Sequence, residues 1–141
     1  LFEVVVDYGA YRDIQRHRMA GQYPQPLTPA LGHEQPPVLA AAGMEAAYER
    51  AMEAAAVAWR QLSGDHPDAA QYVLPLACRT RLLMQMNLRE LHHFIPLRSS
   101  RQGHRSYRRI AQQMHAALAA AQPGLAAQIR VDTGDYDLSR A

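Results

Sequence analysis

Seven of the seventeen residues between positions 21 and 37 are glycine or proline (Gly21, Pro24, Pro26, Pro29, Gly32, Pro36 and Pro37), and no other feature restricts the fold of this chain as strongly. Proline fixes φ and has no N–H to donate, so neither a long helix nor a central strand can run through the segment. A loop of this length in a compact domain is often a binding or covering element; the alternative is a surface loop with no function.

Hydrophobic periodicity assigns the flanks. In residues 1–8, Phe2, Val4, Val6 and Tyr8 alternate with Glu3, Val5 and Asp7, the pattern of a strand with one face more buried. Residues 10–20 read as a helix in which Tyr11 and Ile14 share a face. Over 38–62, Tyr48, Ala51, Met52, Ala55, Trp59 and Leu62 recur at helical steps, and Gly64 is placed to end the run. A short helix is predicted at 67–74, opened by Pro67 and stopped by Pro75. Residues 77–86 alternate again, with Cys78, Leu82, Met84 and Met86 on one side. Asn87 then suits a helix N-cap, with Glu90 at the position from which a carboxylate reaches back, and the helix is predicted to run to about Ile95. The final helix, 104–121, carries the stripe Tyr107, Ile110, Ala111, Met114, Ala117, Leu118 and Ala121, with Arg105, Arg108 and Arg109 off it and Pro123-Gly124 at its end. The expected class is α+β, helix-rich with a small antiparallel sheet.

At 141 residues and 48% apolar content the chain suits a single domain, 1–141, with a real core. No apolar run approaches membrane-spanning length and no signal peptide is visible, so a cytoplasmic location is expected. The chain opens at Leu1, inside a strand-like run and without an initiator Met, so the natural protein is expected to carry further residues before it. Cys78 is the lone cysteine; an intrachain disulfide is excluded, and in an apolar run it reads as a core residue. All fifteen basic residues are Arg, whose planar forks suit phosphates and carboxylates. A net charge of +2 gives no general case for nucleic acid.

Three constellations could carry chemistry. In Arg16-His17-Arg18 the two arginines would lie about 200° apart on an ideal helix, so the triplet either sits at a helix end or serves two sites, unless it is simply a solvated basic turn. In Asn87-Leu88-Arg89-Glu90-Leu91-His92-His93, Arg89 and His93 are one turn apart near a helix start that favours anions. The adjacent His92 and His93 diverge and have no third ligand at a diagnostic spacing, so no metal is expected. Finally, Arg98, Arg101, Arg105, Arg108 and Arg109 lie within twelve residues, as a phosphate-binding turn, a nucleic-acid patch or a solvated face. Tyr107 is the one aromatic there, which weakens the nucleic-acid reading.

In Arg16-His17-Arg18, and again across residues 72–98, the chain resembles the flavin-dependent thymidylate synthases. That family has an RHR signature after a strand and helix. Further on it has a pattern matched here by Val73-Leu74-Pro75, Thr80, Asn87, Arg89, Leu91, Phe94, Leu97 and Arg98. The resemblance implies a homotetramer with FAD and nucleotide at subunit interfaces. It assigns Arg16, His17, Arg18, Asn87, Arg89 and His93 to the flavin. Arg98 is assigned to deoxyuridylate (dUMP) as the substrate-binding and catalytic candidate. The implied reaction is reductive methylation of dUMP to dTMP, with methylenetetrahydrofolate supplying the carbon and NADPH reducing the flavin.

The chain also departs from the family pattern. Where the signature continues with hydroxyl residues, Asn and Arg-Tyr, this sequence has Gly21, Tyr23, Pro26, Thr28 and Pro29. Gln71 stands at another substrate-binding position where the family has Arg, and Ser106 replaces an acidic residue. Loss of an arginine–phosphate pair costs on the order of 2–5 kcal/mol. A non-catalytic or repurposed domain that binds a flavin or nucleotide, as one half of a longer two-domain chain, is therefore the alternative to a working enzyme.

Overall fold

The computed structural model describes residues 1–136. Its elements are β1 (Phe2–Asp7), α1 (Tyr8–Ile14), β2 (Gly21–Pro24), α2 (Val38–Ala41), α3 (Glu45–Ser63), α4 (Pro67–Ala70), β3 (Arg79–Gln85), α5 (Leu88–Ser99), α6 (Arg105–Ala121) and α7 (Pro123–Ala126). The α+β expectation holds: the three strands form one small antiparallel sheet in the order β1-β3-β2, and helices make up most of the rest. No helix among the described residues is long and apolar enough to cross a membrane.

The residues fall into two compact units. The first holds Leu1–Val6, Ala10–Pro24 and the described residues from Arg81 onward. Here the period-two pattern does what alternation dictates: Val4, Val6, Leu82 and Met84 are buried while Val5 and Leu83 are exposed. β2 pairs antiparallel with β3, Tyr23 opposite Leu83, and lies at the edge of the sheet, where Pro24 costs no ladder hydrogen bond on a central strand. Ile14, Phe94, Ile95, Ala111 and Met114 are buried with them, as are Tyr11, Leu91, Ile110 and Ile129. Each large apolar side chain so buried contributes about 1.5–3 kcal/mol.

The second unit holds Asp7–Gly9 and Gln25–Thr80. Its core is Leu27, Met52, Leu74 and Cys78, with Tyr8, Tyr48, Trp59 and Ala77 packed against it. Cys78 is buried, as its apolar context predicts, and burial pushes its thiol pKa up.

Several element boundaries differ from the periodicity reading. The helix expected over 38–62 is two helices, α2 and α3, because Gly43 adopts φ 64° between them. Gly64 does follow α3, but at φ −67° it is an ordinary right-handed residue. The 67–74 helix is α4 followed by a 3-10 turn at Gln71–Val73. The helix predicted at 10–20 starts at Tyr8 and stops at Ile14. α5 runs through Pro96 to Ser99. Arg108, placed off the apolar stripe of α6, is only 1% exposed. Its Nη2 donates to the Asp135 carboxylate at 3.1 Å and to the Tyr136 carbonyl at 2.6 Å, which offsets the cost of burying the charge.

Candidate functional site

The site grows from the point where α1 ends. Gln15 still donates to the Tyr11 carbonyl, but His17 N bonds Ile14 O, Arg18 N bonds Arg16 O and Ala20 N bonds His17 O, so residues 15–20 form tight turns. The arginine–histidine–arginine triplet is thus at a helix end, one of the two arrangements its spacing allowed. Outside a helix its side chains alternate: Arg16 and Arg18 are exposed and His17 is buried. Arg16 keeps a loose contact with Asp13 at 3.7 Å, with its side chain 76% exposed.

His17 lies against one face of α5. Glu90, Phe94 and Arg98 recur every four residues there, so they share a stripe. The ring meets Phe94 edge-on at a centroid distance of 4.7 Å and His93 at 5.6 Å. Nδ1 is 3.0 Å from Glu90 Oε1, and Nε2 receives the Arg98 Nε–H at 2.8 Å. A guanidinium can only donate, so Nε2 must be the acceptor; the neutral ring then carries its proton on Nδ1 and donates it to Glu90. Burial lowers the His17 pKa from its ordinary 6.5; the Glu90 hydrogen bond pulls the other way, and the nearby Arg98 charge lowers it further. A neutral, single-tautomer imidazole results.

Arg98 ties the loop to two further elements. Its Nη2 donates to the Asp13 carbonyl at 2.6 Å, satisfying a group in the last turn of α1, and its guanidinium lies 5.1 Å from the Tyr107 ring centroid. These two hydrogen bonds use Nε and Nη2 of the guanidinium. On the other side of His17, Gln22 Nε2 donates to the His17 carbonyl at 3.0 Å.

At the start of α5, Asn87 accepts from Glu90 N at 2.9 Å and caps the helix as expected. The Glu90 carboxylate is directed to His17. Arg89, His92 and His93 are exposed along the same helix. Arg16, His17, Arg18, Asn87, Arg89, His93 and Arg98 all belong to the first unit, and within it His17 meets His93 and Arg98 directly. Gln71 belongs to the second unit, where its Oε1 accepts from Leu27 N at 2.8 Å. Among the described residues no three His, Cys, Asp or Glu side chains are grouped to hold a metal ion.

Glu90 and Asp13 are the members that sequence reasoning missed. Glu90 has a strong local explanation as a capping residue, and nothing in its spacing points to a histidine 73 positions away. The Asp13 contribution is a backbone carbonyl, which no residue type announces.

Comparison with known proteins adds the family. Residues 1–124 match the family model described as thymidylate synthase complementing protein. The chain is 42% identical to a UPF0159 protein of Chlamydia muridarum over 140 residues, which covers 99% of this chain and 26% of that protein. It is 39% identical to the UPF0159 protein Ta1429 of Thermoplasma acidophilum over 143 residues, 99% of this chain and 29% of the relative. A flavin-dependent thymidylate synthase of Thermococcus kodakarensis is 41% identical over 51 residues, 36% of this chain and 21% of that enzyme. The chain spans between a quarter and a third of the length of the UPF0159 proteins it matches.

Proposed function

This chain belongs to the thymidylate synthase complementing protein family, and from that premise we propose that it is part of a flavin-dependent thymidylate synthase, acting on dUMP with methylenetetrahydrofolate and NADPH. One observation carries the reading. The Arg16-His17-Arg18 loop is anchored to α5 through His17, with both flanking arginines turned outward and a capped helix start bearing exposed Arg89 in the same unit. Outward guanidinium forks on a fixed loop suit the phosphates of a dinucleotide or nucleotide.

The residues fit a flavin in a divided way. Arg16, Arg18, Arg89 and His93 have donors at the surface and would hold it. His17 has both ring nitrogens engaged inside the chain, so its part is to position the loop, and Asn87 holds the helix start. A flavin, when bound, supplies hydride chemistry. The contribution of these side chains is to bind and orient anionic groups. Arg98 offers a nucleotide phosphate its remaining Nη1 while its other nitrogens keep the loop in place. A family-like homotetramer would complete such a site from more than one subunit.

A second reading is favoured by Gln71. Its amide fastens the proline-rich loop at Leu27. The arginine it replaces would have faced a phosphate, so this chain is alternatively a flavin- or nucleotide-binding half without catalysis in a longer protein. The test is FAD titration of the full-length protein, with bound-chromophore absorbance, comparing Arg16→Ala and Arg89→Ala. Saturable binding lost in both variants supports the flavin site, and turnover of dUMP then separates enzyme from binding domain. Absence of flavin binding in the full-length protein overturns both the enzyme and the flavin-binding form of the second reading.

A further inference from the structure

A cavity of about 390 Å³ opens wholly within the second unit, lined by α3, the proline-rich loop and Cys78. Helical spacing builds the α3 wall. Met52, Ala56 and Trp59 follow one another at four- and three-residue steps, and Glu49 and Glu53, one turn apart, stand beside them. The apolar part is firmly placed: Met52 and Cys78 are core residues of this unit, and Trp59 packs against that core. The Trp59 indole N–H is buried without a hydrogen-bond partner among the described residues, so packing alone holds the ring. Both acids are held too. Glu49 Oε1 lies 3.0 Å from His33 Nε2, and Glu53 Oε1 accepts from Arg60 Nη2 at 2.6 Å. Arg60 is the one permanent cation of the lining among the described residues, against two carboxylates. Its pair with Glu53 has side chains 54% and 67% exposed, the kind of ion pair that a ligand can exchange at small cost.

We propose that this cavity binds a small organic cation, an ammonium group on an aromatic or alkyl body, with the ammonium on the Glu49 and Glu53 carboxylates and the body against Trp59, Met52 and Ala56. The lining selects this class. An indole attracts a cation more strongly than any other aromatic side chain, and a thioether packs well against aromatic carbon. Two carboxylates complete the recognition of an N–H cation through charge-assisted hydrogen bonds. An anion would meet both acids for a single guanidinium, and an uncharged molecule would gain only the apolar contacts. The volume lies at the small end of ligand pockets, which limits the body to one or two rings. None of Arg16, Arg18, Arg89, Arg98 and Gln71 lines this cavity, so the proposal goes beyond the flavin and nucleotide readings and does not depend on them.

Trp59 is the only tryptophan of this chain, so its fluorescence reports on the cavity. The experiment titrates the full-length protein with phenethylammonium, with 2-phenylethanol (a similar body without the charge) and with phenylacetate (the opposite charge). The Trp59 signal is isolated as the difference from Trp59→Phe, and isothermal titration gives the same affinities without relying on fluorescence. Phenethylammonium is expected to bind saturably, 2-phenylethanol roughly tenfold more weakly and phenylacetate not measurably. Glu49→Gln and Glu53→Gln should each weaken the ammonium by roughly three- to tenfold. Glu45→Gln, the same charge change at an exposed acid of α3 outside the cavity, should leave it unchanged. Thermal melts identify any variant that has lost its fold, and the two independent carboxylate variants keep the test decisive. Absence of saturable ammonium binding, equal affinity for 2-phenylethanol, or affinity unchanged in both Glu49→Gln and Glu53→Gln overturns the proposal. FAD titration of the same wild-type protein reports on the flavin reading separately, because either site can fail without the other.

Discussion

Arg98 donates its Nε–H to Nε2 of His17 at 2.8 Å, joining side chains 81 positions apart. With Nη2 on the Asp13 carbonyl, one guanidinium holds the end of α1, the signature loop and the end of α5. Arg98→Ala leaves a buried ring nitrogen without its donor and removes the bond to α1. It should cost about 1–3 kcal/mol. Arg98→Lys should recover little, because an ammonium has no planar fork to serve both acceptors at once. Urea unfolding midpoints at neutral pH check this; a lysine variant as stable as wild type would contradict the two-acceptor account.

The same network makes stability depend on pH in a definite direction. Burial holds the His17 pKa below 6.5 in the native state, so the unfolded chain takes up this proton at a higher pH than the folded one. The contribution of neutral His17 is fully present above 6.5 and is lost as pH falls through the native value. Protonating Nε2 would also set two donors, His17 and Arg98, against each other. Between about pH 7.5 and about pH 5.5 the wild-type unfolding free energy should fall more steeply than that of His17→Asn. Equal slopes would mean that His17 is protonated alike in both states.

Glycine conformation separates two positions that look alike in the sequence. Gly43 has φ 64° and Gly64 has φ −67°, and at either one an added Cβ would meet nothing within 4 Å. Only the backbone distinguishes them. A Cβ at Gly43 strains a left-handed residue, so Gly43→Ala should destabilise by about 1 kcal/mol. Gly64→Ala restricts the unfolded chain without native strain and should stabilise by about 0.4–1 kcal/mol. Thermal or urea unfolding of the two variants should therefore move in opposite directions.

Those glycines also show where the sequence stopped being legible. Alternation at Val4 and Val6 and at Leu82 and Met84 was readable because a two-residue period survives any choice of partner strand. The α6 stripe at Ile110, Ala111 and Met114 was readable for the same kind of reason. What could not be read was set by distant partners. Gly43 matched a helical period that tolerates one glycine, and only its positive φ reveals the break. Arg108 stands three residues before Ala111, at the edge of the stripe, but its burial depends on Asp135 and the Tyr136 carbonyl, which no helical period can announce. At the site, the RHR triplet and the Asn87 cap were legible as local chemistry. The link between them through Glu90 was not, because the same glutamate satisfied a purely local rule.

Gln71 gives the prediction with most bearing on function. Its Oε1 accepts the Leu27 N–H at 2.8 Å, and Leu27 is a core residue of the second unit. Restoring the arginine of the related synthases would not simply return a phosphate ligand, because a guanidinium has no acceptor for that N–H. Gln71→Arg and Gln71→Ala should both destabilise by about 1–3 kcal/mol, whereas Gln71→Glu, which keeps an acceptor, should be closer to wild type. Hydrogen exchange at Leu27 N–H should quicken in the first two variants and stay slow in the third. If Gln71→Arg instead leaves Leu27 protected, the loop does not depend on this contact, and the change at position 71 would be free of the structural cost argued here.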